Sequence, residues 1–255
     1  MAWRYLLYRI KAVDDRGVQL PFVIDLLQNV LYVKQDYYAY KPIERLREQL
    51  IDTPKSISYI DYGAKGNGKE VTNKLSKIAL TALKAPKYGQ LLFRLANHFS
   101  PNNILELGTS LGLSTAYLAM ANKNSKVITM EGAKAIAEVA QKNFKQLKLK
   151  NVKQIIGTFD EALTNTLRHV NQLDMVFIDG NHRQDATMRY FNACLNKMHN
   201  GTVLIVDDIN WSDEMASAWE EIKAHKAVTL TIDLFELGIV FFEKAYTKEH
   251  FVIKY

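Results

Sequence analysis

The sequence predicts an α/β protein with a doubly wound, mostly parallel sheet of seven strands whose last strand is antiparallel. Three observations predict this fold. Short apolar runs alternate with helical stretches of roughly 10 to 15 residues from Pro86 onward, which is the pattern of βαβ crossovers. The runs are apolar throughout, as in strands that are buried on both faces. The last two runs are joined by Leu234–Gly238, which is too short for a crossover helix, so the final strand runs antiparallel.

The first 85 residues are predicted to form a helical extension of a domain at residues 86–255. The extension has three segments with helical apolar spacing, and the glycine-containing segment Asp61–Lys69, which includes Asn67, is predicted to be a loop. The helical segments are Pro21–Val33, Tyr37–Leu50 and Val71–Leu83. The extension is expected to serve as a lid, a substrate selector or a dimer contact.

The domain contains seven predicted strands: Ile104–Leu107, Val127–Met130, Val152–Ile156, Met175–Ile178, Thr202–Val206, Val228–Asp233 and Ile239–Glu243. The predicted helices of the domain are Tyr88–Phe99, Ser114–Ala121, Ala133–Leu147, Asp160–Val170, Gln184–Met198 and Asp213–His225. Because a helix separates most successive strands, the strands are expected to lie parallel, with helices on both faces of the sheet.

Composition excludes several classes of protein. The chain has 255 residues and a single cysteine, which rules out an internal disulfide framework and a cysteine-rich metal site. No apolar run reaches the roughly 20 residues that a membrane-spanning helix needs, and the N-terminus lacks a signal-peptide pattern. We therefore expect a cytoplasmic protein without membrane contact. The net charge of +6 is spread along the chain, so nucleic acid is an unlikely partner that is not excluded.

The first motif with chemical content is a strand, a glycine turn and a helix within Asn103–Leu118. In a doubly wound sheet the ligand binds beyond the carboxyl ends of the strands, where this turn lies. Gly108 lets the backbone approach a ligand closely. Glu106 is an acid near the end of a buried strand, and an ammonium group on the ligand would be a suitable partner. An ordinary strand–turn–helix with a structural glutamate is the alternative.

A second acid, Glu131, ends the next predicted strand, about 20 residues after the glycine turn, which is the usual spacing for an acid that binds ribose hydroxyls. Three further aspartates follow later strands. Asp179 ends the fourth strand, and Asp207 and Asp208 end the fifth. Their oxygens would suit Mg²⁺ or Ca²⁺. Alternatively, Asp207 and Asp208 cap the loop that leads into the helix at Asp213.

Together these motifs make residues 86–245 resemble a class I S-adenosylmethionine-dependent methyltransferase. The segments Ile104–Ala119, Phe177–His182 and Val206–Trp211 resemble those of small-molecule O-methyltransferases of the catechol type. The resemblance implies a methionine pocket formed by Glu106, Gly108 and Ser114, with Glu131 at the ribose. It also implies adenine contacts from Gly157, Thr158 and Phe159, while Asp179 would lie near the reacting methyl group.

The resemblance also bears on catalysis. His182 stands where the catechol-type enzymes have a lysine base, and imidazole can accept a proton near neutral pH. Those enzymes hold a divalent metal with two aspartates and an asparagine, and Asp208 replaces that asparagine here, which puts the metal in doubt. The catalytic residues are therefore expected to be His182 and Asp179. A loop histidine bound to a carboxylate is the alternative for His182.

The sequence thus predicts an O-methyltransferase that uses S-adenosylmethionine and acts on a small hydroxylated molecule, with a homodimer as a candidate assembly. Three alternatives stay open. One is an RNA or protein methyltransferase, another is a cofactor-binding domain without catalysis, and the third is an aminopropyl transferase with the same fold.

Overall fold

The computed structural model describes residues 2–64, 66 and 68–255. The chain divides into two compact units. The central unit contains residues 34–165, and the terminal unit combines residues 2–33 with Thr166–Tyr255. Asn67, which belongs to the predicted loop at Asp61–Lys69, lies outside the described residues.

The central unit contains three parallel strands in the order β3-β4-β5. They are β3 (Asn103–Leu107), β4 (Lys126–Glu131) and β5 (Val152–Ile156). Its helices are α3 (Tyr40–Ile51), α4 (Leu75–Ala82), α5 (Pro86–Phe99), α6 (Leu113–Ala121), α7 (Lys134–Gln146) and the start of α8 (Phe159–Arg168). Tyr40 and Phe93 are buried in one core with Tyr117, so Tyr40 packs inside this unit.

The central unit also holds an antiparallel hairpin that the sequence did not predict. Strand β1 (Ser56–Asp61) pairs with β2 (Lys69–Lys74), and Tyr59 faces Val71 in the ladder. The predicted helix Val71–Leu83 is therefore wrong at its start, because Val71–Lys74 is strand and the helix begins at Leu75. The β-branched pair Val71 and Thr72 favours a strand, and cross-strand partners stabilise it there.

The terminal unit contains five strands in the order β10-β8-β9-β7-β6. They are β6 (Leu173–Ile178), β7 (Met198–Asp207), β8 (Leu230–Asp233), β9 (Leu237–Phe241) and β10 (Glu249–Val252). Strand β9 runs antiparallel to both β7 and β8, so the predicted antiparallel hairpin is confirmed. The helices α9 (Gln184–Leu195) and α10 (Asp213–Ala224) follow the pattern that the sequence predicts.

Two elements of the terminal unit were not predicted. Strand β10 adds to β8 in parallel and extends the pattern by one strand beyond the seven expected. Helix α1 (Ala2–Lys11) lies at the start of the chain, followed by a short 3₁₀ turn (Asp15–Gly17). The helix predicted at Pro21–Val33 is α2 (Pro21–Leu26), which continues as a π-helical turn (Leu27–Leu31).

The predicted fold class is confirmed, since the described residues form alternating strands and helices with mostly parallel pairing. The predicted domain boundary between residues 85 and 86 stays a prediction. Among the described residues, no helix has the length and apolar character to cross a bilayer.

Candidate functional site

Glu106 lies in β3 and is fully buried. Its Oε2 accepts hydrogen bonds from the hydroxyls of Thr115 and Thr129, the latter at 2.6 Å. Its Oε1 accepts none from the residues that the structure describes. Burial raises the pKa of this carboxyl group from 4.5 to about 7, while the hydroxyls of Thr115, Thr129 and Ser114 act in the opposite direction. A buried carboxylate with one unsatisfied oxygen is suited to bind a cation.

The turn after β3 combines several predicted residues. Gly108 has φ 110°, a conformation that favours glycine, and its amide donates to the Met130 carbonyl at 3.1 Å. Gly112, which precedes α6, has φ 86°, and a methyl group added there would lie 2.5 Å from the ring of Phe144. The turn therefore depends on glycine at both places. It also brings the Ser114 side chain within hydrogen-bonding reach of Glu106.

Glu131 ends β4 and connects two turns. Its Oε2 accepts from the Ser110 amide at 2.8 Å, and its Oε1 accepts from the Ala133 amide at 2.9 Å. Burial raises the pKa of this carboxyl group. Each carboxylate oxygen has a second lone pair, so the side chain can still accept hydrogen bonds from hydroxyls of a ligand. Gly157 follows the next strand, and its amide donates to the carbonyl of Glu131 at 2.9 Å.

Thr158 and Phe159 lie at the start of α8. The Thr158 amide donates to the Glu161 carboxylate at 3.2 Å, and the Glu161 amide donates to Oγ1 of Thr158 at 3.4 Å. This reciprocal pair is a capping box, so the Thr158 side chain has a structural role at the helix end. Phe159 is half-buried, which leaves part of its ring accessible.

The sequence did not reveal that the β1–β2 hairpin reaches this site. Tyr62 follows β1 and is 42% exposed. A methyl group added at Gly132 would lie only 2.8 Å from Cδ2 of Tyr62, so the ring lies directly against the residue after Glu131. The charge of Asp61 also raises the pKa of Glu131. A contact between residues some seventy positions apart leaves no local signal in a single sequence.

In the terminal unit, His182 lies between two of the predicted aspartates. Its Nε2 is 3.6 Å from Oδ1 of Asp179, and its Nδ1 is 3.8 Å from Oδ2 of Asp208. All three side chains are about one-fifth to one-quarter exposed, so solvent reaches them. The imidazole also lies 5.8 Å from the ring of Trp211. The structure therefore brings together four residues that follow β6 and β7.

Asp207 is the last residue of β7 and is fully buried. Helix α10 is capped by Ser212, whose hydroxyl accepts from the Met215 amide at 3.1 Å. Asp207 and Asp208 are therefore not the N-cap of this helix. Their alternative role, as caps of the loop that leads into it, stays a prediction. In the described part of the chain, no group of three or more His, Cys, Asp or Glu side chains is arranged to hold a metal ion.

As they stand, these residues do not fit a divalent metal, because the His182 ring lies between two of the three carboxylates. The metal site stays a prediction.

Strained backbone is concentrated in the turns that follow the strands. Ser110 follows β3 with φ 46°, Asn181 and His182 follow β6 with φ 68° and 49°, and Asp208 follows β7 with φ 54°. Positive φ is uncommon for residues other than glycine. Such conformations persist only where surrounding contacts hold them, and they are frequent at functional sites.

The sequence of residues 105–209 matches a protein family described as a methyltransferase domain. A catechol O-methyltransferase of Niastella koreensis is 34% identical over 142 residues, which is 54% of this chain and 63% of that protein. A catechol O-methyltransferase of Mycobacterium tuberculosis is 28% identical over 138 residues, or 53% of this chain and 59% of that protein. The chain thus matches about three-fifths of the length of these curated relatives.

Solved structures show the same fold. An O-methyltransferase of Bacillus cereus in complex with SAH superposes with a TM-score of 0.58 at 19% identity, covering 82% of this chain and 93% of that one. An O-methyltransferase of Streptomyces achromogenes in complex with SAM has a TM-score of 0.57 at 21% identity, covering 86% of this chain and 96% of that one. The predicted α/β fold is therefore confirmed.

Proposed function

We propose that this chain is an S-adenosylmethionine-dependent O-methyltransferase that methylates a hydroxyl group of a small molecule in the cytoplasm. The observation that carries the proposal is Glu106, a fully buried carboxylate with one unsatisfied oxygen at the end of β3. The methionine part of this cofactor has an ammonium group, which is the kind of partner that such a carboxylate needs. The names of the curated relatives support O-methylation.

The central unit would bind the cofactor. Glu106 binds the ammonium group, with Gly108 and Ser114 lining the methionine side. Glu131 binds the ribose hydroxyls through the lone pairs that its backbone hydrogen bonds leave free. Gly157, Thr158 and Phe159 line the adenine; since Thr158 uses its side chain to cap α8, it contributes mainly through its backbone. Tyr62 covers the Gly132 side of the ribose.

The terminal unit would supply the groups that act on the acceptor. When bound, the cofactor would supply a sulfonium methyl group, which the acceptor oxygen can attack in line while the sulfur leaves as a neutral thioether. His182 accepts the hydroxyl proton of the acceptor. Asp179 and Asp208 orient the imidazole, because they lie within 4 Å of its two nitrogens. Trp211 forms one wall for an aromatic acceptor.

Two measurements test the proposal in order. Isothermal titration with S-adenosylhomocysteine tests cofactor binding, and absence of binding in the high-micromolar range would overturn it. Product formation from S-adenosylmethionine with a panel of catechols and other phenols then tests the reaction. Binding without turnover on any hydroxylated acceptor would count against an O-methyltransferase and favour a domain that only binds the cofactor.

The metal hypothesis needs its own experiment. Three carboxylates, Asp179, Asp207 and Asp208, are the donors that the sequence assigns to it, with Mg²⁺ or Ca²⁺ as the ion. Titration of each ion into the wild type and into Asp207→Asn separates the outcomes. If the wild type shows a binding heat that Asp207→Asn lacks, the metal site is supported. Identical titration curves for both proteins argue against it.

A further inference from the structure

Helix α1 presents an apolar face that no residue described in the structure covers. Five of its large apolar side chains are exposed, and four of these lie on this face, among them Trp3 at 68% and Ile10 at 71%. The other two are Leu6 at 50% and Leu7 at 36%. Single exposed apolar residues are ordinary, but four on one short helix form a contiguous patch.

The opposite face attaches α1 to the terminal unit. Tyr8 is buried, and its hydroxyl donates to the Ile253 carbonyl at 2.6 Å. The rings of Tyr5 and Tyr8 lie 4.9 and 5.3 Å from the ring of Phe235. Arg4 forms an ion pair with Asp213. These contacts hold the inner face in place, so the exposed residues are not those of a detached segment.

The outer face is organised as an amphipathic stripe. At 3.6 residues per turn, each residue advances by about 100°, so Trp3, Leu6, Leu7 and Ile10 fall within a sector about 100° wide. The exposed cations Arg9 and Lys11 fall on either side of that sector. We define these six residues as the α1 stripe.

We infer that the α1 stripe binds the surface of an anionic lipid bilayer. Trp and aliphatic side chains on one helix face, with basic residues at its borders, suit a helix that lies in the plane of the lipid headgroups. The chain as a whole carries a net charge of +6, which favours an anionic surface. Contact of this kind needs no spanning helix, and it differs from the sequence-based expectation that the protein makes no membrane contact.

A second copy of the chain fits the stripe less well. A helix of ten residues is about 15 Å long, so one face of it covers only part of the roughly 800 Å² that each partner contributes to a stable protein–protein interface. Two copies packed through this face would also bring the cations Arg9 and Lys11 of both chains close together. A bilayer surface has neither limit, since it extends past the helix and carries the opposite charge.

Vesicle sedimentation tests the inference with the full-length protein. The wild type should sediment with vesicles that contain phosphatidylglycerol and stay in solution with pure phosphatidylcholine. The double variant Arg9→Gln with Lys11→Gln should bind the anionic vesicles about 25-fold more weakly, since one basic residue near such a surface contributes about fivefold. Added salt should weaken the wild type in the same direction.

The double variant Trp3→Ser with Ile10→Ser should lose binding altogether. Leu80→Ser is the matched control, because Leu80 is 67% exposed on α4, outside the stripe. Failure of the wild type to bind anionic vesicles, or full binding by the stripe variant, would overturn the inference. So would a wild-type dimer in light scattering that the stripe variant converts to a monomer, because the occupant would then be a second copy. None of these measurements depends on methyl transfer.

Discussion

Replacing Glu106 by glutamine should change stability and ligand binding in opposite directions. The buried carboxyl group has a pKa of about 7 against an ordinary value of 4.5. Between these two values the folded state binds more protons than the unfolded state, so the free energy of unfolding falls as the pH rises. Above about pH 7 the wild type therefore carries an ionised group that burial disfavours. Glutamine has nearly the same shape without the charge.

The size of the effect follows from the shift. One pKa unit corresponds to about 1.4 kcal/mol, so a shift from 4.5 to about 7 destabilises the ionised wild type by about 3 kcal/mol. Of this, about 2 kcal/mol develops between about pH 5.5 and about pH 8. The free energy of unfolding of Glu106→Gln, relative to that of the wild type, should therefore rise by about 2 kcal/mol over that pH interval. Other titrating groups are common to both proteins and cancel in the difference.

Urea unfolding of both proteins at about pH 5.5 and about pH 8 measures this difference in stability. Calorimetric titration with S-adenosylhomocysteine at about pH 8 measures the predicted loss of ligand affinity. The variant should bind about 10- to 100-fold more weakly, because a hydrogen bond to a charged group contributes about 1.5–3 kcal/mol. A difference in stability that does not change with pH would refute the argument about burial. Unchanged affinity for the ligand would refute the role of Glu106 at the ammonium group.

Three further variants have defined outcomes. Gly112→Ala combines a positive φ with a clash and should lower the free energy of unfolding by about 3 kcal/mol in urea denaturation. Gly201→Ala is the control: Gly201 has no positive φ, so its replacement should lower the free energy of unfolding much less. Equal losses in the two variants would contradict the role of positive φ and the clash at Gly112. Tyr62→Ala should raise the dissociation constant for S-adenosylhomocysteine about fivefold, as expected for the loss of one aromatic contact, while Tyr62→Phe should keep the wild-type dissociation constant. If both variants bind S-adenosylhomocysteine as tightly as the wild type, Tyr62 does not contact the ligand. His182→Gln should lower kcat by about 100-fold or more and leave the dissociation constant for S-adenosylhomocysteine unchanged. A kcat near that of the wild type would exclude His182 as the base.

The pattern of the α/β elements could be predicted because each strand is buried on both faces. Residues such as Leu105 and Val203 are fully buried, and the apolar runs that contain them mark the strands without knowledge of their partners. Glycine at 108 and 112 and the acids at 106 and 131 could be located for the same reason, since their positions follow from the ends of those strands.

The elements that escaped prediction depend on distant partners. Strand β2 is largely exposed and contains one clearly apolar residue, Val71, so its stability comes from the ladder with β1. Strand β10 forms by adding to β8 at the edge of its sheet. In helix α1, Tyr8 and its contact to Ile253 hold a segment whose apolar residues otherwise face outward. Periodicity in one segment cannot reveal any of these partners.

The position of His182 illustrates what the sequence leaves undetermined at the site. Its distance of three residues from Asp179 suggested a neighbouring base, but the sequence treated Asp208 as a metal ligand and not as a partner of the imidazole. The structure places the ring between both carboxylates because Asn181, His182 and Asp208 all adopt positive φ. Ordinary backbone conformations at these residues would direct the two turns elsewhere. Asn, His and Asp are the residues other than glycine that adopt positive φ most often, but their identity alone does not say that they will do so at these positions.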